Sequence, residues 1–216
     1  MPKATNNINP ADRPWIEHSV NPDHPVVFLD TDAKGWLESD GGAGGQINTV
    51  EVSIVQNIVH SLSVCGVEPS SIGVITPFRS QVRFSSIVSE FSGATILSVT
   101  YRQHNIIPFF DFQLRALDEN NTLREFKSNG LEICTIDRFQ GRDKPAIILS
   151  LVRSNNEGKV GRLLQDFRRL NVAFSRAKKK MIIIGSFTTL CKGSDVMGAV
   201  LKSLQERNWV YKMPGS

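Results

Sequence analysis

Residues 146–152 read Ala146-Ile147-Ile148-Leu149-Ser150-Leu151-Val152, and residues 181–185 read Met181-Ile182-Ile183-Ile184-Gly185. Both runs are almost unbroken apolar sequence, without the alternation expected of a strand that wets one face. Runs of this kind are strands covered on both sides, as in a parallel sheet lying between helical layers. Between them, residues 163–177 carry apolar side chains at helical spacing and predict a helix that feeds the second strand. Upstream, residues 132–136, 72–75 and 26–30 predict three further strands, the last reading Val26-Val27-Phe28-Leu29-Asp30. From Thr49, the positions Val50, Ile54, Ile58, Val59 and Leu62 trace an amphipathic helix that stops at Gly66. Thr49 and Glu51 sit at its start, where a cap and a first-turn acid belong. A second helix runs through Val82, Ile87, Val88 and Phe91, and a closing helix covers residues 196–206. Strands alternating with helices define an α/β fold with a mostly parallel sheet.

The remaining segments are less regular. Residues 1–24 are rich in Pro, Asn and Asp and read as a linker or frayed lead-in. The cluster Gly41, Gly42, Gly44 and Gly45 reads as a flexible loop. It is not a phosphate loop, because no Gly-Lys-Ser/Thr follows and no helix opens directly from it. Residues 94–99 and 106–112 are candidate strands, followed by a polar loop over 118–130. Residues 191–216 read as a C-terminal helix and tail.

The 216 residues, 40% hydrophobic and 21% charged, are enough for a sizeable core and exclude disorder, collagen and coiled coil. The longest apolar runs fall far short of the roughly 20 residues that span a bilayer, so no membrane partner is expected. No segment reads as a secretory signal. Cys65, Cys134 and Cys191 are too scattered for a disulfide framework or a zinc site, and a reducing compartment is the default. The histidines His18, His24, His60 and His104 have no metal-binding spacing, no nucleophile elbow occurs and no residue is assigned to a metal. The net charge of +4 is uneven: residues 1–50 hold three basic and seven acidic side chains, leaving 22 basic and 14 acidic for the rest. The densest basic stretch carries Arg168, Arg169, Arg176, Lys178, Lys179 and Lys180 without a carboxylate. Such a field suits phosphates of nucleotide or nucleic acid, or is a solvated face.

In a parallel sheet, ligands bind at the carboxyl ends of the strands, and three loops there have unusual chemistry. The first, Thr76-Pro77-Phe78-Arg79-Ser80-Gln81, brings a hydroxyl, a rigid turn and an arginine out of a strand together; it also reads as an ordinary strand–helix turn capped by Thr76. The second runs Thr135-Ile136-Asp137-Arg138-Phe139-Gln140-Gly141-Arg142-Asp143-Lys144 between two apolar strands. There Gln140-Gly141 allows close backbone approach, Asp143 can accept from ribose hydroxyls, and the basic residues can face phosphates; a salt-bridged surface loop is the alternative. In the third, Arg168 to Lys178, a single helix would place Asn171 with Ser175, and Arg169 with Arg176 two turns apart. An arginine held beside a sheet crevice suits a transferring phosphoryl group, while an exposed basic helix face is the plainer reading.

Taken in order, the three loops resemble the second motor domain of superfamily 1 helicases, in the group containing the nonsense-mediated decay helicase and the eukaryotic DNA replication helicase/nuclease. The blocks are Thr76 to Gln81; Ile136 to Lys144 with Ile147 to Asn155; and Arg168 to Lys178 with Ile182-Ile183-Ile184-Gly185. Phe28-Leu29-Asp30-Thr31-Asp32, Cys65-Gly66-Val67 and Gln140 to Lys144 look most like the replication branch. The resemblance covers roughly residues 25–187 and implies a RecA-like three-layer domain, with helices on both faces, over residues 25–190. It implies that Arg176 is the arginine finger on the γ-phosphate of ATP, worth about 10³–10⁵ in rate. Gln140, Gly141, Asp143 and Arg169 would line the nucleotide cleft. Thr76, Pro77, Arg79, Thr135, Arg153 and Asn155 would track single-stranded DNA on the other edge. It also implies 5′-to-3′ movement and a nuclear location, with the mitochondrion as a second one.

The phosphate loop and acidic magnesium box of such a motor are absent from these residues. The resemblance implies that they belong to a first motor domain upstream, the partner across the ATP–Mg²⁺ cleft. The nuclease domain and its iron–sulfur cysteines are likewise expected upstream. The chain is therefore expected to be half a motor, inactive alone in ATP hydrolysis and unwinding. Residues 93–128 interrupt the resemblance, as an insertion or an in-frame stretch removed from the mature transcript. Val99-Thr100-Tyr101-Arg102 within them is similar to a family arginine motif but in the wrong position. An RNA helicase of the nonsense-mediated decay type and a non-catalytic nucleic-acid-binding module stand as alternatives.

Overall fold

Alternate side chains of the central strands point to opposite faces of the sheet, and here both faces are apolar. Val27, Leu29, Ile148, Ile182 and Ile184 join one buried cluster, whereas Phe28, Ile147, Leu149, Met181 and Ile183 join a second. A sheet with two dry faces needs a helical layer on each, and the computed structural model has that arrangement. It describes residues 13–32, 37–41, 45–82, 126 and 129–214.

In chain order the elements are α1 (Arg13–Val20), β1 (Val26–Asp30), β2 (Ser39–Asp40), β3 (Gln46–Ile47), α2 (Thr49–Val64) and β4 (Ile72–Thr76). After a helical turn at residues 79–82 come β5 (Glu132–Thr135), a 3₁₀ turn (Ile136–Phe139) and β6 (Lys144–Ser150). The chain closes with α3 (Arg162–Gln165), α4 (Phe167–Phe174), β7 (Ala177–Gly185), α5 (Phe187–Gly193), α6 (Asp195–Glu206) and β8 (Val210–Lys212). The six long-range strands form one parallel sheet in the order β5-β4-β6-β7-β1-β8; β2 and β3 pair antiparallel in a separate ribbon. Helices α1 and α2 cover the first face, through Trp15, Ile54, Ile58 and Leu62. Helices α3 to α6 cover the second, through Leu164, Leu170, Leu190, Met197 and Leu201. Each such fully buried side chain contributes about 1.5–3 kcal/mol relative to leaving it in water. This is the α/β RecA-like layering expected from the sequence.

Four expectations are corrected. The predicted helix over 163–177 breaks at Asp166, whose side chain accepts from the Arg168 amide and caps α4. It ends at Phe174, because the backbone from Ala177 is needed extended, paired opposite Lys144. The cap of α2 is Asn48, accepting from the Glu51 amide, rather than Thr49. Part of the lead-in is structural: α1 buries Trp15 to 2% and Ile16 to 6% exposure. The C-terminal tail holds β8, whose Val210, Tyr211 and Lys212 pair with β1 and complete the sheet. The expected helix beyond Val82, the candidate strands at 94–99 and 106–112, the motif at 99–102 and nearly all of the 93–128 interruption lie outside the described residues. No helix among the described residues is long and apolar enough to cross a membrane.

Candidate functional site

Parallel pairing decides which loops meet at each end of the sheet. Lys144 and Ala177 are register partners at the amino ends of β6 and β7, so the residues just before them, Asp143 and Arg176, emerge side by side. Arg176 Nη1 lies 2.8 Å from Asp143 Oδ1. Its Nε donates to the Val172 carbonyl at 3.1 Å, and its Nη2 to Ser175 Oγ at 3.2 Å. The arginine is thus not on a helix face, as expected, but in the tight turn after α4, with its planar head fixed by the helix end. Arg169 does not align with it: its Nε lies 3.6 Å from Asp137 and 3.7 Å from Asp166. Gln140 and Gly141 are exposed in the turn entering β6. Gly141 has φ +79 with open space around it, so glycine serves the turn's handedness there, not close packing.

This cluster corrects a second expectation, since it sits at the amino ends of the strands and not at their carboxyl ends. The Arg176–Asp143 pair is partly exposed, with side chains at 20% and 44%. A pair of that exposure contributes only about 0–1 kcal/mol. A phosphate oxygen can therefore replace the carboxylate on Arg176 at small cost.

The other predicted residues lie at the opposite end. Thr76 and Thr135 are register partners, the last residues of β4 and β5. Thr76 and Pro77 are buried and Thr135 half-buried, whereas Arg79, opening the following helical turn, is exposed. Thr76 Oγ1 accepts from the Phe78 amide at 3.4 Å. After β6, Arg153 is clamped by Glu38: Nε and Nη2 each lie 2.9 Å from a different carboxylate oxygen. The same carboxylate accepts from the Ser154 amide at 2.7 Å and from Asn155 Nδ2 at 3.3 Å. Asn155 also closes its own loop, exchanging hydrogen bonds with the Lys159 backbone at 2.8 and 2.9 Å. The Arg153 guanidinium lies 6.0 Å from the centre of the Phe78 ring, so the loops leaving β4 and β6 touch.

Beneath these loops is a buried polar network that sequence reasoning missed. Gln81 accepts from the Asn48 amide at 2.9 Å and donates to the Asn48 carbonyl at 3.0 Å and to Ser150 Oγ at 3.3 Å. Glu51 Oε2 accepts from Ser150 Oγ at 2.6 Å and from the Val152 amide at 2.9 Å. Glu51 is fully buried, and its Oε1 has no hydrogen-bond partner. Burial pushes its carboxyl up to about 8, against the pull of the Ser150 and Val152 hydrogen bonds. The available signal was the Asn-x-x-Glu spacing before an apolar run, a helix-start pattern; its burial was not visible in one dimension.

The basic stretch is not one surface. Arg168, Lys178 and Lys179 are exposed, but Lys180 is buried and donates to the carbonyls of Asn21 and His24 at 2.8 and 2.5 Å. Burial pushes its ammonium down to about 8. Among the described residues no three His, Cys, Asp or Glu side chains converge.

Comparison with known proteins gives the family of the chain. Residues 2–188 match the family described as an AAA domain. The chain is similar to the DNA replication ATP-dependent helicase/nuclease DNA2 of Xenopus laevis, 33% identical over 93% of this chain and 16% of that protein. Against the Schizosaccharomyces pombe protein of the same description the figures are 34%, 92% and 12%, and against the human one 33%, 83% and 14%. The chain spans about one eighth to one sixth of the length of these relatives. It belongs to the AAA domain family, as a superfamily 1 helicase domain similar to the corresponding part of the DNA replication helicase/nucleases.

Proposed function

We propose that this chain is the second motor lobe of an ATP-dependent DNA helicase/nuclease of replication, including Okazaki fragment processing, and of repair. Its amino edge supplies Arg176 to the γ-phosphate of ATP, with Gln140, Gly141, Asp143 and Arg169 around the nucleotide. Its carboxyl edge, from Thr76, Pro77, Arg79 and Thr135 to Arg153 and Asn155, carries half of the track for single-stranded DNA. The observation that carries the reading is the placement of Arg176, anchored at Nε by the Val172 carbonyl and at Nη2 by Ser175 Oγ, with Nη1 on the partly exposed Asp143 carboxylate.

In the resting lobe Asp143 holds Arg176 in place without satisfying it deeply. When a first motor domain presents ATP, the γ-phosphate oxygens take over Nη1, and Asp143 is released toward the nucleotide's ribose. Charge developing during phosphoryl transfer then meets a guanidinium that is already oriented, which is where such an arginine gains its effect. Magnesium would be held by a first motor domain, and an iron–sulfur cluster by a nuclease region, elsewhere in the intact protein. Closure of the cleft moves the two edges of one rigid sheet together, so a step at the nucleotide is passed to the strand. The intact protein acts in the nucleus, with the mitochondrion as a second location.

The isolated chain is expected to bind labelled oligo(dT) with an affinity that falls as salt rises. R79A should weaken that binding, and the chain should show no DNA-stimulated ATP hydrolysis. Hydrolysis by these 216 residues alone would refute the half-motor reading.

A further inference from the structure

Val152 has φ +68 and is fully buried. A β-branched side chain is strongly disfavoured in that region. The Arg153 amide donates back to the Leu151 carbonyl at 2.7 Å, which makes Val152 the centre of a γ-turn of the rare, strained kind. Such strain persists only where neighbours over-determine it. Both sides of the turn are held from the start of α2: the Val152 amide donates to Glu51 Oε2 at 2.9 Å, and its carbonyl accepts from Asn48 Nδ2 at 3.3 Å. Gln81, two residues beyond the exposed Arg79, is hydrogen-bonded to both backbone groups of Asn48.

We propose that Glu51, Asn48 and Gln81 are positioning residues that hold the Val152 turn bent. They thereby fix the segment Arg153 to Asn155 against the Arg79 loop as one surface for a single strand. Without the two anchors the backbone at Val152 relaxes to negative φ, and the β6 loop swings away from the β4 loop. The two loops then meet a strand independently and engage fewer phosphates at once. This rests on the strand-binding reading of the carboxyl edge.

The test uses the whole chain and labelled oligo(dT), with binding measured across a salt series. Glu51→Leu keeps the volume but accepts no hydrogen bond, and should weaken binding about tenfold while flattening the salt slope by about 0.7 for each phosphate no longer engaged. Glu51→Gln, whose amide oxygen accepts the same two bonds, should restore binding. Adding Val152→Gly to Glu51→Leu should also restore it, because glycine adopts positive φ without the anchors. A merely structural role for Glu51 predicts no rescue from a second, cavity-forming change. Should Glu51→Leu unfold the chain, Gln81→Met reads the same link from the β4 side. If the parent chain binds and R79A weakens it, yet Glu51→Leu and Gln81→Met bind normally, or the glycine fails to rescue, the positioning role is wrong. If the parent chain does not bind, or R79A changes nothing, the strand-binding reading itself fails.

Discussion

Arg176 and Glu51 show how differently one buried or half-buried charge can be managed. Arg176 lies at the surface against Asp143, both side chains partly exposed. Glu51 gives its charge up: burial, with the negative charge of Glu38 as a smaller contribution, raises its folded-state value from 4.5 to about 8. A raised carboxyl contributes stability that is fully present below pH 4.5 and lost as pH rises toward 8, since only the unfolded chain releases the proton in that window. Glu51→Gln removes this dependence. The unfolding free energy of the variant, compared with that of the parent chain, should therefore rise progressively from pH 5 to pH 9, by an amount on the order of a few kcal/mol. A difference that stayed flat with pH would show that Glu51 is ionised throughout. Arg176 and Asp143 were singled out in the sequence because each belongs to a block whose residue types are unusual together, but that the two blocks meet followed only from the pairing of Lys144 with Ala177. The burial of Glu51 was not legible, because an acid at a helix start ordinarily faces water, and only the loop from β6 folding over it makes it buried.

At the scale of elements, the five longer strands of the sheet were readable, whereas β2, β3, β8 and the helix ends were not. Residues 146–150 and 181–185 pair side by side with both faces covered, so apolar continuity identified these parts of β6 and β7, but not the polar starts at Lys144 and at 177–180. The stretch before β7 misled because Leu164, Leu170 and Ala173 all face the same core, preserving helical spacing across the break at Asp166. Sheet pairing at Ala177 overrode that periodicity. Helix α1 was missed for another reason: its eight residues make barely two turns, too few for a period. Its weight in the fold is nonetheless large. Trp15→Ala should cost about 3–5 kcal/mol in denaturant unfolding, the range for a fully buried tryptophan. A loss under about 1 kcal/mol, typical of a surface site, would mean that α1 is only draped on the sheet.

Across the whole molecule, the charge asymmetry acquires a geometry. The acidic first fifty residues supply Glu38, which neutralises Arg153 at the carboxyl edge. Lys180 is consumed in capping the turn after α1, and Arg176 faces the amino edge beside Asp143. The sheet thus separates two charged surfaces by the length of its strands, and in the proposed reading one meets a triphosphate and the other a strand backbone. The three ordered blocks made both surfaces legible in outline, but their placement at opposite ends followed only from strand register. The most direct test is DNA-stimulated ATP turnover by the intact helicase carrying Arg176→Ala, measured together with ATP binding. The expected result is a fall in turnover of about 10³-fold or more with ATP binding nearly unchanged, whereas normal turnover in that variant would contradict the assignment of Arg176 and, with it, the reading of this lobe.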